Sequence, residues 1–285
     1  MIALTDIRYV RLGTRDLDSA THYATSILGL ERGPREGGTQ YLRSDAREYT
    51  LAYVEGDPRE HVVAFDVADA HSLEAAAAEI DAHGLHVRFG TRAECDERRV
   101  ERFVHFKDPS GNGVDLVHGA AAGGDPYRPS RAAGITGFSH IGLRTTDAAR
   151  DEAFWTRVCN ARVSDRIGEA PLLRIDAVHH KLALFPSAYP GVQHVNHQVA
   201  GVDDVMRAYY FLRERGVRIV FGPGRHPTSS AIFLYFEGPD GMVYEYSTGV
   251  RMIDDEATYA PRQFPFEASS FCMWGSRPDI AEFKR

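Results

Sequence analysis

Two imidazoles and one carboxylate, from His140, His194 and Glu245, stand in three short strand-like segments of the C-terminal half of the chain. Two histidines and a carboxylate on one side of a divalent ion leave its opposite side open, and non-haem iron(II) enzymes use that ligand set. Hydrolytic zinc sites draw on the same residue types, but the His-Glu-x-x-His helix signature of that chemistry is absent. Whether the three are a set depends on the elements that carry them.

An internal repeat supplies those elements. Thr5 to Leu12 (TDIRYVRL) matches Thr136 to Leu143 (TGFSHIGL), and Glu60-His-Val62 matches Gln193-His-Val195. Asp108 to Asp115 (DPSGNGVD) matches Gly238 to Glu245 (GPDGMVYE), so three segments recur in one order at offsets of about 130 residues. The chain therefore reads as two copies of one domain, within the usual domain size. The expected division is 1–118, a small-residue and Pro/Gly-rich linker at 119–134, a second copy at 135–250, and an aromatic, proline-containing tail at 251–285.

Each copy divides again into strand, amphipathic helix and extended segments. The helices are expected at Asp16–Leu28, Ser72–His83, Asp147–Cys159 and Asp203–Arg215, the first, second and fourth stopped by Gly29, Gly84 and Gly216. Four βαβββ units paired into two similar domains make the fold class α+β. The repeat sets Tyr9, His61 and Asp115 opposite His140, His194 and Glu245. A neutral tyrosine, with a pKa of about 10, is a poor ligand for a divalent ion, so the first copy is expected to have lost its metal. The repeat also favours His194 over His197. Three residues apart, the two face opposite sides of a strand, and His197 is left as a packing residue or one that supports a ligand from behind.

Composition narrows the function classes. A net charge of −7 offers no basic excess for phosphates, which argues against a nucleic-acid partner. Three cysteines, Cys95, Cys159 and Cys272, have no metal-ligand spacing and do not suggest a disulfide framework. The N-terminus lacks a basic leader and no stretch is long enough to span a bilayer, so a cytoplasmic protein is expected. No Gly-rich dinucleotide fingerprint is present, and His22, His71, His83, His86 and His118 read as ordinary surface or structural histidines.

In these features the chain resembles the two-domain type I extradiol dioxygenases of the vicinal oxygen chelate (glyoxalase-like) superfamily. The resemblance covers most of residues 1–250 and is most specific between His140 and Glu245. It implies Fe(II), or Mn(II) in some members, held by His140, His194 and Glu245; the Asp203-Asp204 pair stands at the family's distance from His194 and not from His197. It further implies catalytic and substrate-binding roles for His180, the acid–base histidine (with His179 the weaker candidate), and for His226 and Tyr235 beside the substrate hydroxyls. The implied reaction is extradiol cleavage of a catechol by O2, in aromatic compound catabolism, by a homo-oligomer. The alternatives are a glyoxalase-like metalloenzyme and a non-catalytic member that binds an aromatic ligand. Pocket walls are expected around Phe138, Leu172, Leu173 and Ala183, with part of the tail closing the substrate entrance.

Overall fold

The computed structural model describes residues 1–284 and contains two mixed sheets built to one plan. The first holds β1 (Asp6–Thr14), β2 (Glu31–Glu36), β3 (Thr39–Arg43), β4 (Leu51–Glu55), β5 (His61–Asp66), β6 (Val87–Phe89), β7 (Arg102–Lys107) and β8 (Gly113–His118). The second holds β9 (Ile135–Thr145), β10 (Arg162–Ile167), β11 (Ala170–Arg174), β12 (Leu182–Pro186), β13 (Gly191–Val199), β14 (Ile219–Arg225), β15 (Ile232–Glu237) and β16 (Val243–Thr248). Spatial order is β2-β3-β4-β1-β5-β8-β7-β6 in one and β10-β11-β12-β9-β13-β16-β15-β14 in the other. A tail strand, β17 (Arg262–Phe264), extends the second sheet beside β10. This is the vicinal oxygen chelate architecture.

In every βαβββ unit the first strand runs parallel to the last, because the intervening helix returns the chain over the sheet. Two units then join through their first strands, β1 against β5 and β9 against β13, both antiparallel. The middle of each sheet is therefore the meeting point of two units.

The helices follow their caps. Asp16 and Asp147 accept from Ser19 and Arg150 backbone N–H groups to open α1 (Leu17–Tyr23) and α4 (Ala148–Ala153), and each runs on into a π-helical turn, Ala24–Leu28 and Phe154–Val158. α2 (Ala70–Ala82) starts slightly before the expected Ser72, because Asp69 is its cap. α3 (Arg92–Arg98) is a further helix, beyond the four expected; Thr91 and Glu94 close a capping box at its start. α5 spans Val202–Glu214. The tail adds a single helical turn, α6 (Ala268–Phe271).

One apolar core joins the halves, with Trp155 packed on Phe65 at 5.4 Å between ring centres. A second cluster lies on the other face of the C-terminal sheet, where Phe185, Phe221 and Phe233 meet Phe271 and Phe283 of the tail. Among the described residues no helix is long and apolar enough to cross a membrane.

Bulges decide which face some residues take. In β9, Phe138 pairs with His197 but His140 pairs with Asn196, so Ser139 is an extra residue and the alternation breaks there. Arg8 is the matching extra residue between Ile7 and Tyr9 in β1. The bulge corrects one expectation: Phe138 turns into the main core beside His197, while His140 faces the other way. Leu173 is likewise in the main core, whereas Leu172 and Ala183 lie in the second cluster.

Candidate metal centre

His140 comes from β9, His194 from β13 and Glu245 from β16, three adjacent strands at the middle of the second sheet. Asn196 pairs with both His140 and Glu245, and His194 lies two residues away on the same face. All three side chains are buried. His140 Nε2 lies 3.0 Å from His194 Nε2 and 2.9 Å from Glu245 Oε2, and His194 Nε2 lies 3.4 Å from that oxygen.

This arrangement fits a divalent ion. Ligand atoms about 2.1 Å from a common ion and roughly at right angles to one another are separated by about 3 Å. Glu245 Oε2 is buried and, close as the imidazoles are, accepts no hydrogen bond of good geometry among the described residues. A carboxylate oxygen so placed needs a cation. His194 donates its Nδ1 proton to Gln193 Oε1, which turns the Nε2 lone pair toward the other two ligands, the usual support for a ligating imidazole. A Cβ on Gly142 would come within 2.4 Å of His194 Nδ1, so the absence of a side chain there makes room for the ring.

Electrostatics agree. Burial pushes His194 down to about 4, keeping it neutral and its lone pair free at neutral pH. Burial pushes Glu245 upward, but His140, His194 and His226 outweigh it and hold the carboxyl well below its usual range.

The structure also brings His180, His226 and Tyr235 to the centre. The His180 ring lies 4.3 Å from that of His140, and Tyr235 pairs with Glu245 across β15 and β16. Burial first, and then Glu245, raise the Tyr235 phenol well above its ordinary value, so it stays a neutral donor. Its hydroxyl lies 3.3 Å from His226 Nε2, while His226 Nδ1 donates to the Phe271 carbonyl of the tail at 2.7 Å. His179 does not join them; it is fully buried on the far side of His180, against Asp165. His197 faces the main core, and among the described residues neither ring nitrogen has a hydrogen-bond partner.

The equivalent position in the first sheet is filled. Asp115 Oδ2 accepts from Tyr9 Oη at 2.8 Å and from Arg98 Nε at 2.7 Å, and its Oδ1 lies 2.8 Å from His105 Nδ1. The Arg98 guanidinium, delivered by α3, supplies the cation there. His61 points elsewhere, to the Arg59 carbonyl and Asn112.

Sequence reading missed Gln193, Asp165 and Arg262. The position of Gln193 before His194 was a local signal, but only tertiary pairing brings Asp165 and Arg262 to His179.

A family model described as the Glyoxalase/Bleomycin resistance protein/Dioxygenase superfamily matches residues 6–116 and 137–246. The chain belongs to this superfamily. Its similar members include an iron-dependent extradiol dioxygenase of Rhodococcus jostii, 26% identical with 96% of this chain and 97% of that protein covered. A biphenyl-2,3-diol 1,2-dioxygenase of Sphingomonas paucimobilis is 25% identical, over 92% of this chain and 94% of its own. Among solved superfamily structures, a halotolerant catechol dioxygenase superposes with a TM-score of 0.88 at 21% identity, covering 98% of this chain and 96% of that one. A Mn(II)-bound glyoxalase from Novosphingobium aromaticivorans reaches 0.87 at 24% identity, covering 98% and 93%.

Proposed function

We propose that this protein is an extradiol dioxygenase that opens the ring of a catechol with O2 at an Fe(II) held by His140, His194 and Glu245, with Mn(II) the alternative ion. The buried trio, with its unsatisfied Glu245 oxygen, carries the reading. The names of the full-length relatives supply the substrate class and, in one case, iron. Bound there, the ion would act as a Lewis acid toward both catechol oxygens and as the conduit for electron density from the ring to O2.

The chain's own groups do the rest. His180 Nε2 takes a proton from a catechol hydroxyl and later returns it, as a neutral buried imidazole can. Tyr235 donates its hydroxyl proton to a substrate oxygen, and His226 Nε2 stands behind it, fixed by the Phe271 carbonyl. Phe185, Leu172 and Ala183, with Phe271 and Phe283 of the tail, exclude water and form an apolar wall for the ring.

A glyoxalase-like isomerase is the weaker reading, because all three ligands come from one half while Arg98 fills the equivalent place in the other. The test is to load the protein anaerobically with Fe(II), add a panel of mono- and bicyclic catechols, and admit air. Yellow ring-fission product with matching O2 uptake is expected. Bound iron without O2 uptake for any catechol would sink the proposal.

A further inference from the structure

A line of hydrogen bonds runs from the tail to His180. Arg262 grips the Asp165 carboxylate with its backbone N–H (2.9 Å to Oδ1), Nε (3.1 Å to Oδ1) and Nη2 (2.5 Å to Oδ2). Asp165 Oδ2 lies 2.9 Å from His179 Nε2, and His179 Nδ1 lies 3.0 Å from His180 Nδ1. Asp165 and His179 are fully buried and His180 nearly so.

Donor and acceptor chemistry orders the protons along this line. An ionised carboxylate only accepts, so His179 must carry its proton on Nε2. A neutral His179 then has a bare lone pair on Nδ1. Two lone pairs do not face each other at 3.0 Å, so the proton in that contact belongs to His180. Burial holds His179 below the ordinary imidazole range, which agrees with a neutral ring between Asp165 and His180.

We propose that Asp165, acting through His179, positions His180 and locks it as the Nδ1–H tautomer, leaving its Nε2 lone pair as the base presented to the substrate. The catalytic consequence rests on the ring-cleavage reading; the hydrogen-bond assignment does not. When a catechol O–H bond breaks and the proton moves to Nε2, the Nδ1–H bond to His179 stays in place. The Asp165 charge then stabilises the imidazolium through His179, by the logic of an aspartate that orients a catalytic histidine. Arg262 keeps that aspartate ionised and aimed, which gives the tail strand a part in the chemistry.

Asp165→Asn is the decisive change. Its oxygen must go to Arg262, so its NH2 faces His179 Nε2, and the proton of each ring shifts to the other nitrogen. His180 would then offer an N–H where it had a lone pair. Full-length protein with 15N-labelled histidine, loaded with diamagnetic Zn(II), reads this directly in long-range 1H–15N spectra, with His180→Asn identifying the signals. The expected result is a bare Nε2 on His180 in the parent and a protonated Nε2 in Asp165→Asn.

With Fe(II), kcat should fall about 10²- to 10⁴-fold in Asp165→Asn with KM nearly unchanged. His179→Gln can donate its NH2 to Asp165 and accept from His180 through its oxygen, so it should keep the parent tautomer and most of kcat. His179→Leu should lose both. A protonated Nε2 in the parent, or an unaltered tautomer and kcat in Asp165→Asn, would overturn the proposal. A tautomer that flips in Asp165→Asn, in a parent that turns over no catechol, would uphold the hydrogen-bond assignment and reject the ring-cleavage reading.

Discussion

His194 and His197 show how two like residues on one strand meet opposite fates. His194 has Gln193 on one nitrogen and His140 and Glu245 beside the other, whereas among the described residues His197 has no hydrogen-bond partner on either. Burial pushes His197 down to about 4. Its folded value therefore lies below the free value of about 6.5, and the folded protein stays neutral where the unfolded chain takes up a proton. The stability tied to this ring is intact above pH 6.5, declines as pH falls from there, and is lost by about pH 4. The loss reaches about 3 kcal/mol at the acid end. His197→Leu should lose that much less stability than the parent between pH 7 and pH 4 in urea unfolding. Equal acid sensitivity would show that His197 is not buried neutral.

α3 is the clearest difference between the halves at the scale of elements. The repeat places Asp115 where the second half has Glu245, and α3 brings Arg98 Nε to 2.7 Å of that carboxylate. Burial raises Asp115, but His105 and Arg98 outweigh it and leave the carboxyl below its usual value. Arg98→Ala would leave a buried carboxylate without its main counter-charge, at a cost of about 3–5 kcal/mol. Chemical denaturation should register that loss, while the metal content of the purified protein stays at the parent level. A loss below about 1 kcal/mol would mean that Tyr9 and His105 suffice. The sequence analysis placed no helix at Arg92–Arg98, and nothing local said that one there would point Arg98 at Asp115, since that contact is made across the sheet.

Across the whole molecule, the tail closes over the site. Phe283 packs on Phe185 at 4.8 Å and on Phe271 at 4.9 Å, and Glu282 pairs with Arg144 of β9. Removing residues 278–285 keeps β17, Arg262 and the Phe271 carbonyl while stripping Phe283 from the apolar wall. Burial of a phenylalanine is worth about 1.5–3 kcal/mol, so KM for a catechol should rise by about 10- to 100-fold with metal affinity unchanged. Unaltered KM in a folded truncation would show that the tail's end is packing and not part of the substrate wall.

Residue types and a repeated spacing were enough to read the four-unit plan and the trio His140, His194 and Glu245, whereas His180, His226 and Tyr235 were named only through the family resemblance. Types and spacing work at sequence level because strand alternation and duplication are local or periodic properties. Tertiary structure decided the rest. A one-residue bulge at Ser139 turned Phe138 to the core, and β10 and β17 brought Asp165 and Arg262 to His179. An arginine from a short helix pairs with Asp115 in the first half, where the second half has Glu245. Each of these depends on register between strands or on contacts between distant segments, and side-chain period alone carries neither.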